Sequence, residues 1–408
     1  MRNKLNLFSN NQGTGGFEKG SYDLYAVHPA EANWTRQSRF SLPLKCDLLW
    51  KTCVRGTSIN QSFASGSFTV DRDNNVLISD YDASLAGPRF GRILTIKNNS
   101  EIIELFRSNK QLGSPVLVEG GRIYVTSNGS ERTKEHKLFC LGSDGTVIWD
   151  FSLNYAFNTR PVVDSEENIY VYSYGNQVGI LYSLNKEGII NWSRKFSSIC
   201  WYEPIITADE VILLGLNVMQ TLCAFQKDGA LLWEREIGQG LGLSPLVINA
   251  GGTIYACLSN KLYALHSNGE VKWEYKPSNG IVHTGPAMDK DGNLYVVLNI
   301  TRIAAISSEG KEIWQAKTNG TSSTPPIIDN KQLICQQSFM RNSADDISWI
   351  EVFTHEGEKI LEHEFSGSVM STVVADNNIL YTTSQHHKYL ANRGEVKMNA
   401  YWDLLAIG

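Results

Sequence analysis

The chain has little charge for its length. Only 19% of its 408 residues are Asp, Glu, Lys or Arg, and the formal net charge is −5. A nucleic-acid-binding surface needs an excess of basic residues to neutralise the phosphates. The slightly acidic balance therefore argues against DNA or RNA as a partner.

Long apolar runs are also missing. No stretch approaches the roughly 20 apolar residues that a membrane-spanning helix requires. The first residues, Met1 to Gly16, contain no apolar run of the kind found in a secretory leader. We therefore expect a cytoplasmic protein without a membrane partner.

The seven cysteines are scattered along the chain. No two are adjacent, and no Cys-x-x-Cys pair suggests a metal-binding knuckle. Four of them, Cys140, Cys223, Cys257 and Cys335, fall inside predicted strands. This pattern is typical of buried free thiols in a reducing compartment.

The dominant feature is a repeat of about 40 residues, clearest between Ser244 and Trp273. Four short apolar or β-branched runs follow one another there, separated by Gly, Asn or Ser, which predicts four antiparallel strands. Such a sheet cannot bury both of its faces alone, so copies must stack, and this period is typical of a β-propeller. Each clear copy ends in Gly-x-x-x-Trp, with its tryptophan at Trp149, Trp192, Trp233, Trp273 or Trp314.

Three further copies complete the count. Two degenerate fourth strands end near Ile103 and Leu361, and another contains Trp50. The sequence therefore predicts an all-β, eight-bladed propeller of four-stranded antiparallel blades. Seven blades remain the alternative if the copy around Ile103 is not a blade.

The strand around Trp50, Asp47–Val54, has no partner strands before it. We expect it to complete a blade whose other strands come from the end of the chain, so that both termini close the ring and leave no open edge. The domain division is then an irregular segment over residues 1–45 and one propeller over residues 46–408. The three strands predicted to complete this blade are Ser371–Ala375, Ile379–Thr383 and Tyr401–Ile407.

The repeats resemble those of the PQQ-like (quinoprotein) propeller family. The stretches that carry the resemblance are Ser244-Pro245, Leu262–Leu265 (Leu-Tyr-Ala-Leu) and Asp291–Val296 (Asp-Gly-Asn-Leu-Tyr-Val), and it extends from about Trp34 to the end. It implies that each repeat tryptophan docks its blade onto the next. The usual Ala-x-Asp-x-x-Thr-Gly turn is not kept, because His266 and Asn268 occupy the Asp and Thr positions after Ala264.

The family includes quinone-dependent dehydrogenases and the scaffold lipoprotein of the outer-membrane barrel-assembly machinery. The dehydrogenases hold PQQ with a vicinal Cys-Cys disulfide, a calcium site and a catalytic Asp. This sequence has no adjacent cysteines, so we expect no PQQ and no other cofactor. The scaffold lipoprotein needs a leader and a lipidated cysteine, which the start of this sequence does not show. The expected relation to it is one of fold.

The antiparallel order of the strands in each blade also predicts which end of the propeller carries the functional site. With the strands of a blade named A to D from the axis outward, the B–C turns and the crossovers to the next blade emerge at one end. The B–C turns near Asn217, Ser259 and Asn299 are minimal, whereas other B–C loops are long, and binding concentrates in such loops. Extended B–C loops are predicted at Tyr81–Gly91, Asn128–His136, Tyr174–Gly179, Phe339–Ile347 and Ser384–Asn399.

The crossovers should converge on the axis of this face. Most residues that precede the first strands are small, but Arg160 and Glu203 are not, and Trp201, Tyr202 and His283 are close in sequence. As a site, Arg160 and Trp201 would bind an anionic ligand, and Glu203, His283 and Tyr202 would supply acid–base chemistry. The alternative is that Arg160 and Glu203 form an ion pair that ties two blades together.

His386 and His387 lie in the longest predicted loop, Ser384–Asn399, which would form a partial lid over the ligand. We include both as ligand-binding residues. With His283 or His136 across the opening they would resemble a metal site, but adjacent histidines on a polar loop are more often solvated. We therefore predict no metal.

Two classes of function follow. The first is a binding platform that holds a small molecule or a protein partner on its long-loop face. The alternative is a cofactor-free enzyme of the lyase, isomerase or cyclase type with its active site in the central funnel. An exposed apolar patch on that face would favour the platform, and a closed, water-poor pocket would favour the enzyme. We expect a monomer.

Overall fold

The computed structural model describes residues 38, 40–43, 45, 47–54, 62–71, 73–82, 90–129, 135–218, 220–237, 246–258, 260–278, 280–322, 324–341, 346–375, 378–392 and 395–408. These residues form eight antiparallel sheets, and each sheet is one blade of a propeller. The predicted fold class and blade count are therefore confirmed. Besides the strands, one short 3-10 turn (Glu119–Gly121) is present in the described chain.

The strands are named in chain order, beginning with β1 (Leu48–Val54), which belongs to the last blade. Blade 1 contains β2 (Ser62–Val70), β3 (Val76–Asp82), β4 (Phe90–Ile96) and β5 (Ile102–Ser108). Blade 2 contains β6 (Gln111–Leu112), β7 (Val116–Leu117), β8 (Ile123–Asn128), β9 (His136–Leu141) and β10 (Val147–Leu153). Blade 3 contains β11 (Phe157–Asn158), β12 (Val162–Val163), β13 (Ile169–Gly175), β14 (Val178–Leu184) and β15 (Ile190–Phe196).

In blades 2 and 3 the innermost strand is interrupted and forms two short strands. Blade 4 contains β16 (Ile205–Ile206), β17 (Ile212–Leu216), β18 (Thr221–Phe225) and β19 (Leu231–Glu236). Blade 5 contains β20 (Val247–Ile248), β21 (Ile254–Leu258), β22 (Lys261–Leu265) and β23 (Val271–Tyr275). Blade 6 contains β24 (Ala287–Met288), β25 (Leu294–Leu298), β26 (Arg302–Ile306) and β27 (Glu312–Lys317).

Blade 7 is formed by four consecutive strands, whereas blade 8 combines strands from both ends of the chain. Blade 7 contains β28 (Ile327–Ile328), β29 (Ile334–Met340), β30 (Ile347–Phe353) and β31 (Lys359–Ser366). Blade 8 combines β32 (Ser368–Val374), β33 (Leu380–Asn392) and β34 (Glu395–Ile407) with β1.

The repeat tryptophans join successive blades. A β-bulge directly before each one, for example between Ile190 and Trp192, interrupts the strand alternation and redirects the side chain. The Trp192 indole donates from Nε1 to Lys227 O at 2.8 Å and lies against Gly229, whose φ is +85°. A Cβ at Gly229 would come within 2.6 Å of the ring, so glycine is required there.

The same contact recurs at four other seams, which confirms the docking role implied by the family resemblance. The indole Nε1 atoms donate to the next blade's C–D turn at 2.7–2.9 Å: Trp149 to Lys186 O, Trp233 to Ser267 O, Trp273 to Ser308 O and Trp314 to His355 O.

The ring closes as predicted. β1 pairs with β34, with Trp50 opposite Ala406 and Val54 opposite Trp402. Asp47 and Gly408 exchange backbone hydrogen bonds of 3.1 and 3.0 Å, so the C-terminal residue lies beside the start of the closing strand. Strands from both ends of the chain thus complete blade 8.

A short segment before β1 packs against blade 7. Leu42 is buried in the core between blades 7 and 8, and its N–H donates to Asp329 Oδ2 at 2.9 Å. Asn330 N donates to Phe40 O at 3.1 Å. The predicted domain division at residue 45 stays a prediction, because residues 1–37 lie outside the described chain.

The cysteines that are described are free. Cys53 is exposed, whereas Cys140, Cys200, Cys223, Cys257 and Cys335 are buried. The four expected in strands lie in β9, β18, β21 and β29. Burial raises the pKa of Cys223 to about 12, which makes its thiol unreactive.

Candidate functional site

The B–C turns and the crossovers meet at one end of the propeller, as predicted. Asn217, in the B–C turn of blade 4, donates its N–H to Ile199 O of the incoming crossover at 2.9 Å. Val282 N of the crossover between blades 5 and 6 donates to Asn260 O at 3.2 Å. We call this end the loop face.

The loop lengths on this face differ in part from the predictions. The minimal turns near Asn217, Ser259 and Asn299 are confirmed by the short gaps between their strands. The extended loop predicted at Tyr174–Gly179 is wrong, because β13 and β14 are joined by a tight turn with Asn176 and Gln177 at φ 49° and 61°. Two positive-φ residues in a hairpin match the strand twist and need no longer loop.

The loop predicted at Ser384–Asn399 is also wrong. β33 and β34 continue as a hairpin until Asn392 lies opposite Glu395, leaving two residues between them. The centres of the other three predicted loops, residues 83–89, 130–134 and 342–345, lie outside the described residues.

Arg160 is buried where blades 2, 3 and 4 meet. Its Nη2 donates to Pro115 O of blade 2 at 3.2 Å. Burial lowers the pKa of Arg160 to about 10, and the Glu203 carboxylate of blade 4 opposes that shift. Glu203 itself is half-buried. Arg160 and Glu203 are thus near enough to interact electrostatically, and the choice between a ligand site and a tie between blades stays open.

Trp201 and Tyr202 are exposed directly beside this pair. Their side chains are 50% and 38% exposed. The backbone beneath them is fixed, because Trp201 N donates to Asn217 Oδ1 at 2.8 Å and the Cys200 thiol donates to Tyr202 O at 2.9 Å. Val218, in the turn that Asn217 begins, is 47% exposed. We call Trp201, Tyr202 and Val218 the aromatic patch.

Other large apolar side chains are exposed on the same face. They lie in crossovers, in B–C turns or in the strand ends beside them, in blades 3, 6 and 7: Phe157, Ile281, Ile300 and Met340. His283 is on the crossover next to Ile281, is itself exposed, and donates its N–H to Val297 O at 2.8 Å. Partial desolvation lowers the pKa of His283 below its ordinary value.

His386 is not a solvated loop residue, and that prediction is corrected. It lies in β33, is 1% exposed, and stacks on Tyr401 with the ring centroids 4.6 Å apart. Its Nε2 lies 2.8 Å from Asp403 Oδ2, and Lys51 Nζ reaches the same oxygen at 2.5 Å. His386 therefore links strands inside blade 8.

His387 pairs with Ala400 in the backbone register of the same hairpin, and its side chain lies outside the described part of the structure. His136, considered as a partner across the opening, is 3% exposed at the start of β9. In the portion of the chain that is described, no group of three or more His, Cys, Asp or Glu is arranged to hold a metal ion.

Comparison with known proteins supports the family resemblance. Residues 91–218 and 140–281 match, in overlapping alignments, a family model described as Outer membrane protein assembly factor BamB. The crystal structure of BamB from Moraxella catarrhalis superposes with a TM-score of 0.57 at 14% identity, covering 88% of this chain and 99% of that one. This chain is a PQQ-like β-propeller related in fold to BamB.

Two curated proteins share shorter parts of this PQQ-like propeller. Uncharacterized protein YxaL of Bacillus subtilis strain 168 is 35% identical over 19% of this chain and 18% of its own length. Protein GAMETE EXPRESSED 3 of Arabidopsis thaliana is 25% identical over 44% of this chain and 31% of its own length. The chain thus spans less than a third of either relative, and the likeness to BamB at 14% identity is one of fold.

The PQQ-like propeller is built from strands, and its described residues include no helix with the length and apolar character needed to cross a membrane.

One surface feature escaped the sequence analysis. A groove of about 590 Å3 lies on the outer rim between blades 3 and 4, beside Trp192, Arg194 and Phe196. The signal for it was the alternation Trp-x-Arg-x-Phe in the outermost strand of blade 3, which places three large side chains on one face.

Proposed function

We propose that this PQQ-like propeller is a binding platform that holds a protein partner on its loop face. The observation that carries the proposal is the aromatic patch, in which Trp201 and Tyr202 are exposed on a hydrogen-bonded backbone. Trp and Tyr are enriched among the residues that dominate protein–protein affinity. Because the backbone is already fixed, a partner would bury these rings at little entropic cost.

Arg160 and Glu203 have a supporting role in this proposal. The Arg160 guanidinium lies beneath the surface, bonds to blade 2 and interacts electrostatically with Glu203, which follows Trp201 and Tyr202 in the crossover. If the ligand were instead a small anionic molecule, the Arg160 charge would be the group that binds it. The BamB likeness favours a protein partner, since that family model describes an assembly factor.

The test uses affinity capture with quantitative mass spectrometry. The double variant Trp201→Ala/Tyr202→Ala should lose at least tenfold of its specifically enriched partner, because two anchors worth about 1–2 kcal/mol each are removed. The matched control is Ile313→Ala, which removes an equally exposed apolar side chain (53%) on the outer rim. An unchanged set of captured proteins in the double variant would contradict the proposal.

The enzyme alternative stays a prediction. It needs Glu203, His283 and Tyr202 to act on one bound substrate, and it would gain support if Glu203→Gln abolished a turnover that Trp201→Ala retained. The partial shielding of His283, which lowers the pKa of its imidazole, suits a general base and favours this alternative.

We also propose a cytoplasmic, monomeric protein. The unbridged cysteines of the described chain support a reducing compartment. Cell fractionation and sedimentation of the purified protein would test the two statements separately.

A further inference from the structure

The rim groove between blades 3 and 4 has an aromatic floor. Phe196 meets Phe225 edge-on with ring centroids 6.0 Å apart, and Trp192 lies 6.4 Å from the same ring. Trp192 and Phe196 remain half-buried, so part of each ring faces the groove. The far wall is the C–D turn of blade 4, where Gly229 and Ala230 carry little or no side chain. The Trp192 indole fills the space beside Gly229, and the methyl group of Ala230 borders the groove.

A cation is held in place at this groove. Arg194 donates from Nε to Gly229 O at 2.6 Å, and its guanidinium carbon lies 5.5 Å from the centroid of Phe225. These two contacts fix the direction of the side chain before any ligand arrives. The neighbouring Lys195 is exposed and, by strand alternation, projects from the opposite face of β15. Positive charge therefore flanks both faces of one strand.

β15 is the outermost strand of its blade. Among the residues that the structure describes, no strand pairs with its outer edge. Seven residues, Ile190–Phe196, present the backbone groups of this edge, which is enough length for an added strand of four to six residues. A strand added there would run along the groove and place alternate side chains against Trp192 and Phe196.

The charge of β15 distinguishes it from the other outer strands. It contains two basic residues, Arg194 and Lys195, and no acidic one. The corresponding strands of blades 2, 4 and 5 carry Asp150, Glu234 and Glu274 directly after the tryptophan. An acidic added strand would be repelled at those three edges and attracted at β15.

We propose that the rim groove binds an extended acidic peptide segment by strand addition to β15. Main-chain hydrogen bonds would supply affinity, apolar side chains would cover Trp192 and Phe196, and consecutive acidic residues would pair with Arg194 and Lys195 on the two faces. Asp228 also lines the groove, and it would repel further acidic residues of the peptide at its end of the site. This surface is separate from the loop face, so the proposal does not depend on the function proposed above.

The test uses a synthetic peptide, acetylated and amidated, of sequence Val-Thr-Val-Glu-Glu-Val-Thr-Val. The readout is hydrogen–deuterium exchange of the whole protein, which reports on the amides of Ile190–Phe196 separately from the other blades. We expect slower exchange there, and at least tenfold weaker binding when the two glutamates are replaced by lysines, because two favourable cross-strand pairs become repulsive. The same peptide with alternate N-methylated residues should not bind, because it cannot complete the ladder.

The variants Arg194→Gln and Lys195→Gln should each weaken the acidic peptide about twofold to fivefold. Arg235→Gln is the matched control, since Arg235 stands two residues after Trp233 as Arg194 stands two after Trp192. Equal binding of the acidic and basic peptides, or undiminished binding of the methylated one, would overturn the proposal. Protection of β15 that depends on protein concentration alone would also overturn it, because the occupant would then be a second copy of the chain.

Discussion

Two halves of this ring are held together by different means. Five consecutive seams, from blade 2 to blade 7, use one device, in which an indole from the outer strand is seated on a glycine turn of the next blade. The other three seams lack this tryptophan–glycine contact. At two of them the tryptophan position is taken by Ile103 or Leu361, and at the third the turn opposite Trp50 has Ser100 in place of glycine.

Buried ionic groups occur in both halves, since Arg160 and Asp164 are buried in blade 3, and the closing half has several of them. Arg92 and Asp80 form a bidentate pair in blade 1, with Nε donating to Oδ1 at 2.8 Å. Glu351 of blade 7 is fully buried, and its Oε1 lies 2.8 Å from Lys359 Nζ in an ion pair. Blade 8 has the Lys51–Asp403–His386 network. The repeated seams thus share one local motif, whereas the closing half lacks that motif and is supported by the ion pairs within its own blades.

The largest effect should come from breaking one of these pairs. Arg92→Ala leaves the Asp80 carboxylate, 1% exposed, without its guanidinium partner, and we expect a loss of about 3–5 kcal/mol in unfolding free energy. Urea denaturation would measure it. The matched control is Arg107→Ala, in the same blade, whose pair with Glu104 is solvent-exposed and should be worth less than about 1 kcal/mol. Similar losses in both variants would mean that burial does not set the contribution of an ion pair in this blade.

A repeated seam should be somewhat less sensitive. Trp233→Ala removes an indole that is half-buried and hydrogen-bonded to Ser267 O at 2.9 Å, so we expect about 3 kcal/mol, the lower end of the range for large aromatic residues in a core. Trp201→Ala, on the loop face, should cost less than about 0.5 kcal/mol, because that ring is exposed. Thermal melts of both variants would show whether the loss of stability depends on the location of the tryptophan, at a seam or on the surface. Equal losses would mean that it depends on the residue type alone.

The repeated half was predictable from the sequence, and the closing half was predictable only in outline. Gly-x-x-x-Trp spacing reports contacts between residues about 40 apart, which recur and can be counted. The strand at Trp50 revealed the closure because it lacked neighbours. The pairing of Lys51 with Asp403 could not be found, because it depends on a strand register between opposite ends of the chain.

The candidate site shows the same limit. Strand order placed Arg160, Glu203 and Trp201 on one face, and the structure agrees. The burial of the Arg160 side chain was not predictable, because it depends on how three blades pack against one another. His386 was assigned to a loop because its strand continues past the usual blade length, and a polar hairpin carries few of the apolar residues that identify strands.

The smallest expected effect is on the pH dependence of stability, through the Asp403 carboxylate of the closing blade. Burial raises the pKa of Asp403, but the hydrogen bonds from His386 and Lys51 outweigh it and leave that pKa below the ordinary value. A lowered folded-state pKa stabilises the protein above the unfolded value of about 3.9, and this contribution is lost as the pH falls from about 4 towards the folded pKa. We expect the unfolding free energy of the natural protein to fall more steeply over this range than that of Asp403→Asn, which cannot titrate there. Urea melts at pH 5, 4 and 3 would measure both slopes. Parallel slopes would mean that the His386 and Lys51 contacts do not stabilise the charged carboxylate, and the closing blade would then be held by strand pairing alone.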